Sequence, residues 1–221
     1  MSSGLQYQFE KIEGLKEALD DPDSNVGSIY QLGSAKKMAK LGANLKEGKA
    51  IFTEPAMPIK CAGAPQKILY LWADKWSQNK LPISVEFYKT IGVMFGVPKY
   101  SQALTHVAAG YNINTVFKHP LVKIENNEAT FENAETKEKV VKKFDLLHVV
   151  PPMGPHSYIA ESGLADAAGY LDCDKGTLRH KKYSNVWGIG DCTNLPNSKT
   201  AAAIFSQTEV LHEYFSFNTA T

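Results

Sequence analysis

Short apolar runs that fit strands alternate with amphipathic runs that fit helices, and that alternation directs the chain to the α/β class. Residues 50–53 are a strand candidate. Pro65 stands at the first turn of a helix running to about residue 77, where its missing N–H costs nothing. Ile68, Leu69, Leu71, Trp72 and Trp76 give that helix one broad apolar face. Residues 83–88 alternate as a strand, and residues 101–110 read as a short helix. Residues 113–117, 122–124, 129–132 and 139–142 are strand candidates joined by polar turns such as Asn126-Asn127. They form an antiparallel-looking cluster. Residues 144–150 form an apolar strand that runs into Pro151-Pro152-Met153. Residues 185–189 read as the last strand, and a helix follows from about 199 to 214. Nearer the start, residues 34–48 carry helix formers with Gly48 as the stop. Residues 1–30 read as loop with one helical turn around residues 10–19. The expected architecture is an α/β sheet with an added β meander, a pattern common among dinucleotide-binding domains.

Composition excludes several classes. The 221 residues are 43% hydrophobic and 21% charged, which rules out a disordered or fibrous chain. Lys plus Arg is 24 and Asp plus Glu is 23, so the net charge of +1 offers no electrostatic footprint for nucleic acid. No apolar run approaches the roughly 20 residues of a membrane span. The longest, residues 91–97 and 146–152, are short and carry Gly, His or Pro. Peripheral contact with a membrane stays open. The start, MSSGLQYQFEKIEG, holds Glu10 and Glu13 and no apolar run, so it reads as neither a secretory signal nor a transit peptide. Three cysteines, Cys61, Cys173 and Cys192, are too few for a secreted disulfide scaffold. None lie in CxxC spacing, and no His stands near them at ligand spacing, so no metal site is expected.

Two stretches concentrate chemical potential. In Asn185-Val-Trp-Gly-Ile-Gly-Asp-Cys192 an apolar run ends in Gly190-Asp191, and a helix opens a few residues later. Glycine permits close backbone approach to a ligand, and the Asp191 carboxylate can accept hydrogen bonds from sugar hydroxyls. Ser198 is a candidate N-cap, and a helix starting at Lys199 would turn its positive end on an anionic or electron-rich group. The same residues also read as a strand, a turn and a capped helix with no ligand. In the second stretch, Lys60-Cys61-Ala-Gly-Ala-Pro-Gln-Lys67, Cys61 sits in a small-residue loop ahead of a helix, flanked by two cations that favour thiolate. The alternative is a small buried hydrophobe. Cys173 lies between Asp172 and Asp174, which oppose thiolate, and reads as structural or a bystander. His106, within a helix, and His148, within an apolar strand, read as packing or surface residues, and His119, His156, His180 and His212 have no companion acid at telling spacing.

Four motifs occur together: Cys61-Ala-Gly-Ala-Pro-Gln-Lys67, Pro151-Pro152-Met153, Ala165-Asp-Ala-Ala-Gly169 and Gly188-Ile-Gly-Asp-Cys-Thr-Asn-Leu-Pro-Asn-Ser-Lys-Thr-Ala-Ala-Ala203. In this order the chain resembles sulfide:quinone oxidoreductase of the eukaryotic mitochondrial type, from about residue 27 to residue 215. The resemblance implies a Rossmann-like FAD/NAD(P)-binding architecture, related to the flavoprotein disulfide reductases. It divides the chain into an unmatched segment 1–26, a second Rossmann-like (NAD-like) domain 27–150, and the later part of the FAD-binding domain 151–221. It implies oxidation of sulfide to a persulfide by the redox pair Cys61 and Cys192, with electrons passing through FAD to ubiquinone. A small-molecule acceptor would take the sulfane sulfur. Asp191, with Gly190, would hold the ribityl chain. Lys199, Thr200 and Ala201 would set a helix N-terminus against the pyrimidine end of the flavin, and Pro152 would lie along the flavin. The implied location is the mitochondrial inner membrane surface.

The chain departs from the pattern of that family. A full member carries a strand and a G-x-G-x-x-G turn for the FAD pyrophosphate, and the 221 residues contain no such turn. The architecture is therefore expected in part, without the pyrophosphate segment and without the family's C-terminal membrane-binding helices. Two other functions follow as alternatives: a catalytically incompetent short relative that binds a full-length homologous subunit, and a flavin-free persulfide carrier using Cys61.

Overall fold

The structure, a computed structural model, describes residues 1–219. Along the chain run β1 (Gln6–Tyr7), a 3-10 turn (Phe9–Lys11), α1 (Leu15–Asp20), β2 (Val26–Gly27), α2 (Leu32–Asn44), β3 (Gly48–Glu54), α3 (Ala64–Gln78), β4 (Ile83–Lys89) and α4 (Pro98–Gly110). Then follow β5 (Asn114–Val116), β6 (Leu121–Glu125), β7 (Glu128–Glu132), β8 (Lys139–Lys143), β9 (Leu146–His148), β10 (Met153–Gly154), α5 (Ser157–Glu161) and α6 (Ala201–Thr219). The described residues fall into two units. One comprises Gln8–Ala56 and Gly63–Pro152; the other comprises Met1–Tyr7, Met57–Ala62 and the chain from Met153 onward.

The first unit is built on a five-stranded parallel sheet in the order β2-β9-β3-β4-β5. Its strands are apolar on both faces, as a sheet covered on both sides requires. Along β3, Ala50 and Phe52 enter one core cluster while Ile51 enters the other. In β4, Phe87 and Tyr88 divide in the same way, as do Leu146 and Leu147 in β9. Helix α3 covers one face with Leu69, Trp72, Ala73 and Trp76, spaced as one helical stripe. Trp72 and Trp76 stack at 5.6 Å, and the Trp76 Nε1–H donates to the Gly42 carbonyl of α2 at 3.0 Å. The antiparallel sheet β6-β7-β8 covers the other face, where Phe131 stacks on Tyr88 at 3.7 Å between ring centroids. The α/β sheet and the β meander are thus both present.

Several boundaries differ from the sequence reading. Residues 113–117 do not join the antiparallel cluster: β5 pairs with β4 in parallel, through Glu86–Asn114, Phe87–Thr115 and Tyr88–Val116. The chain after α4 thus completes a third β-α-β connection, after those through α2 and α3, before the meander begins. Gly48 does not stop α2, which ends at Asn44; it opens β3 at φ +107, where a Cβ would lie 2.2 Å from Asp145 Oδ2. Residues 185–189 form no strand. Their pairing is one antiparallel bridge, Arg179–Trp187, flanked by the bonds from the His180 N–H to the Val186 carbonyl at 2.8 Å and from the Gly188 N–H to the Leu178 carbonyl at 2.9 Å; the next N–H, of Ile189, donates instead to the Met1 carbonyl at 3.0 Å, and the ladder ends there.

At the carboxyl ends of β3 and β4, Lys89 and Glu54 form a fully buried ion pair. Burial pushes the Glu54 carboxyl up and the Lys89 ammonium down, against the pull of the pair itself. His148, at the end of β9, is buried beside Phe52, with ring centroids 5.6 Å apart and the rings tilted by 30°; burial lowers its imidazolium pKa to about 3.

Ahead of α6, the second unit has little regular structure. β1 and β10 pair antiparallel, through Gln6–Gly154 and Tyr7–Met153. Its core gathers Ile159, Leu171, Cys173, Leu178, Cys192 and Leu195.

Candidate functional site

Both stretches singled out in the sequence lie in this second unit. Cys61 is exposed and takes a left-handed backbone, φ +49, unusual for a residue with a Cβ. Its exposure removes the buried-hydrophobe alternative. The Cys61 N–H donates to the Lys199 carbonyl at 2.7 Å, and Lys60 bridges Lys199 in parallel. The loop carrying Cys61 is thereby bonded to the segment that precedes α6.

Cys192 is fully buried, with Sγ directed at the Ile189 carbonyl at 3.5 Å. Its turn is held on several sides. Gly190 has φ +76; its N–H donates to Gln207 Oε1 at 2.7 Å, and its carbonyl accepts from the Thr193 hydroxyl at 2.8 Å. The Leu171 N–H donates to the Cys192 carbonyl at 2.9 Å. Asn194 donates to Asp172 Oδ1 at 2.6 Å and accepts from the Cys173 N–H at 3.0 Å. Lys181 bonds the same Asp172 oxygen at 2.6 Å, and these two contacts hold the Asp172 carboxyl below its ordinary range. Gly188 is required by packing: a Cβ there would lie 2.2 Å from Leu171 Cδ2 and 2.9 Å from Cys173 Sγ. Cys173 is buried, and burial, followed by the neighbouring Cys192, pushes its thiol up to about 11.

Asp191 Oδ1 is buried and has no hydrogen-bond partner. A buried carboxylate oxygen without a donor is costly, so this position is chemically suited to a ligand hydroxyl. Lys199 is half-buried. Its ammonium donates to the Thr193 carbonyl at 2.9 Å and lies 4.6 Å from the centre of the Tyr170 ring. Burial lowers its pKa, against the attraction of Asp191, Cys192 and Asp166. Ser198 does not cap the following helix: α6 begins at Ala201, and the Ala203 N–H donates to the Thr200 hydroxyl at 3.2 Å. Thr200 occupies the cap because helical geometry starts two residues later than the Ser198 reading requires. An open cavity of about 500 Å³ is walled by Met57–Ile59 and Ala62, by Asp166 and Tyr170, and by Thr193 to Lys199. Pro152 belongs to the α/β unit, where its carbonyl accepts from the Gln8 N–H at 2.8 Å.

Sequence reasoning missed Tyr170, Asn194, Asp172 and Gln207. Asn194 lies two residues beyond Cys192 inside a quoted motif, and Tyr170 directly follows another. Gln207 lies on α6 with no local signal. Among the described residues no group of His, Cys, Asp and Glu is arranged to hold a metal ion.

No protein-family model matches the chain. Curated proteins do. The chain is 43% identical over 213 residues to the mitochondrial sulfide:quinone oxidoreductase of Mus musculus, covering 94% of this chain and 47% of the mouse protein. It is 44% identical over 217 residues to that of Dictyostelium discoideum, covering 96% and 47%. The match to that of Schizosaccharomyces pombe is 41% and covers 98% of this chain, so it extends into residues 1–26. The chain therefore spans about half the length of these relatives. Among solved structures, a chain of the Tetrahymena thermophila mitochondrial ATP synthase superposes with a TM-score of 0.82 at 23% identity, over 99% of this chain and 55% of that one. The Aquifex aeolicus sulfide:quinone oxidoreductase gives 0.69 at 18%, over 88% and 46%. Thioredoxin reductase of T. acidophilum gives 0.67 at 13%, over 100% and 65%. These likenesses show a shared fold.

Proposed function

We propose that this chain, which belongs by homology to the mitochondrial sulfide:quinone oxidoreductases and spans about half of one, carries their cysteine redox centre. The observation that supports this most is that Cys61 and Cys192 lie in one unit, on segments bonded to each other through Lys199. In the disulfide form of the pair, attack by HS⁻ forms an S–S bond to one cysteine. It breaks the bond between the two, and the electron pair stays on the other as a thiolate. Cys61 is the exposed sulfur and the one a solute reaches. A small-molecule nucleophile then takes the outer sulfur.

FAD fits the residues present. Asp191 Oδ1 offers a buried acceptor to a ribityl hydroxyl. The first N–H groups of α6, beginning at Ala201, form a positive end that suits the pyrimidine edge of a flavin. Lys199, Thr200 and Gly190 complete that set, with Pro152 assigned to the flavin by resemblance. When bound, FAD supplies the two-electron acceptor that links thiolate oxidation to ubiquinone. The domain assignment of 27–150 as NAD-like and 151–221 as flavin-binding belongs to this reading. So does placement at the mitochondrial inner membrane. No described helix is long and apolar enough to cross a membrane.

The test is the visible spectrum of the purified chain after incubation with FAD and removal of the excess. A retained flavin band that bleaches on adding sulfide, and does not bleach in Cys61→Ser, is the expected result. A colourless protein overturns the catalytic reading for this chain. It would favour the second one, a non-catalytic partner of a full-length homologue.

A further inference from the structure

We infer that Lys199 is a positioning residue for the cysteine pair, a clasp that holds the Cys61 loop against the Cys192 turn. This inference rests on the proposed pairing of the two cysteines and goes beyond it, because the family resemblance places Lys199 on the flavin. Two bonds of one residue reach the two segments. The Lys199 carbonyl receives the Cys61 N–H at 2.7 Å, and the Lys199 ammonium donates to the carbonyl of Thr193, next to Cys192, at 2.9 Å. The Tyr170 ring faces the ammonium at 4.6 Å and limits the directions the side chain can take. A charge-assisted bond in a half-buried site is stronger than a neutral one, so the side chain transmits position from one segment to the other. Burial lowers the pKa of the ammonium, and the attraction of Asp191, Cys192 and Asp166 opposes that fall without cancelling it. Loss of the ammonium leaves the carbonyl bond to Cys61 in place and frees only the Cys192 side of the clasp.

The experiment equilibrates the chain with mixtures of glutathione and glutathione disulfide, then quantifies the Cys61–Cys192 disulfide by mass spectrometry after alkylation. The exchange balances: two protein thiols and one glutathione disulfide give one protein disulfide and two glutathiones. In K199M the equilibrium constant for the protein disulfide is expected to fall roughly ten- to a hundredfold, the range of a hydrogen bond to a charged group. K199R, which keeps the charge, is expected to restore most of it. The melting temperature of the reduced chain supplies the control, because a purely structural role would move that value and leave the exchange constant unchanged. If the wild type forms the disulfide and K199M forms it equally well, the clasp is overturned and the pair stands. If the wild type forms no Cys61–Cys192 disulfide at any ratio, the pairing itself falls and the clasp with it. Should K199M fail to fold, Y170L decides. It removes the ring facing the ammonium, and an unchanged exchange constant there overturns the clasp.

Discussion

Ser198 and Thr200 stand two residues apart ahead of α6, and only one of them caps it. The Thr200 hydroxyl accepts from the Ala203 N–H, while Ser198 lies exposed with its side chain outside the helix. Thr200→Ala should therefore lower stability by about 1 kcal/mol. Ser198→Ala should stay within roughly 0.5 kcal/mol of wild type. Urea unfolding of the two variants separates them, and equal losses would show that the cap is shared. Sequence pattern could not choose between them, since both residue types cap helices and both lie just ahead of the apolar run. The site was legible where it depends on residue identity. Cys61 and Asp191 stand out by the chemistry of their neighbours, and Cys192 by the family resemblance. Contacts that depend on how distant segments meet, such as Lys199 on Thr193, Asn194 on Asp172 and Gln207 on Gly190, leave no trace in local pattern.

Helix α2 approaches α3 closely at Gly42, where a Cβ would lie 2.3 Å from the Trp72 ring. Two effects oppose each other in Gly42→Ala. Helix propensity favours Ala by about 1 kcal/mol. Overpacking costs about 1–3 kcal/mol, and a rigid indole held by its stack on Trp76 puts this site at the upper end. Net destabilisation of about 1–2 kcal/mol is expected. A more stable G42A protein in urea would mean that α2 shifts freely. The same helices show which elements the sequence reveals. α3 was legible because a fifteen-residue amphipathic run has a period that fits nothing else. β3 and β4 were legible because they are long and apolar. β5 has three residues, and so short a run carries no sign of whether its partner runs parallel or antiparallel. Residues 185–189 have strand composition, yet Gly188 is there to admit Leu171, and their pairing ends after one bridge.

For the whole molecule, His148 sets an acid limit. Its folded pKa of about 3 lies below the unfolded value of about 6.5, so the unfolded chain binds a proton that the folded chain refuses. Stability from this group is present above about pH 6.5 and is lost as pH falls, by about 1.4 kcal/mol per pH unit, until the folded pKa is reached. His148→Gln should flatten that slope. Urea midpoints taken from neutrality down to about pH 4 would show it, and an unchanged slope would assign the acid limb to other groups. The Glu54–Lys89 pair makes a second global demand. Lys89→Met leaves a carboxylate buried alone and should cost about 3–5 kcal/mol, while Lys89→Met combined with Glu54→Leu should recover most of the loss. Chemical denaturation of the three variants tests this, and a double variant no more stable than the single would refute the ion-pair account. The chain is also threaded between its units: after β3 it contributes Met57–Ala62 to one unit and then returns to build α3 in the other. On a ribosome adding about 5–20 residues per second, Lys199 follows Cys61 by roughly 7 to 28 seconds. For that interval the nascent chain displays an unescorted thiol, open to oxidants and to any chaperone that reaches it first.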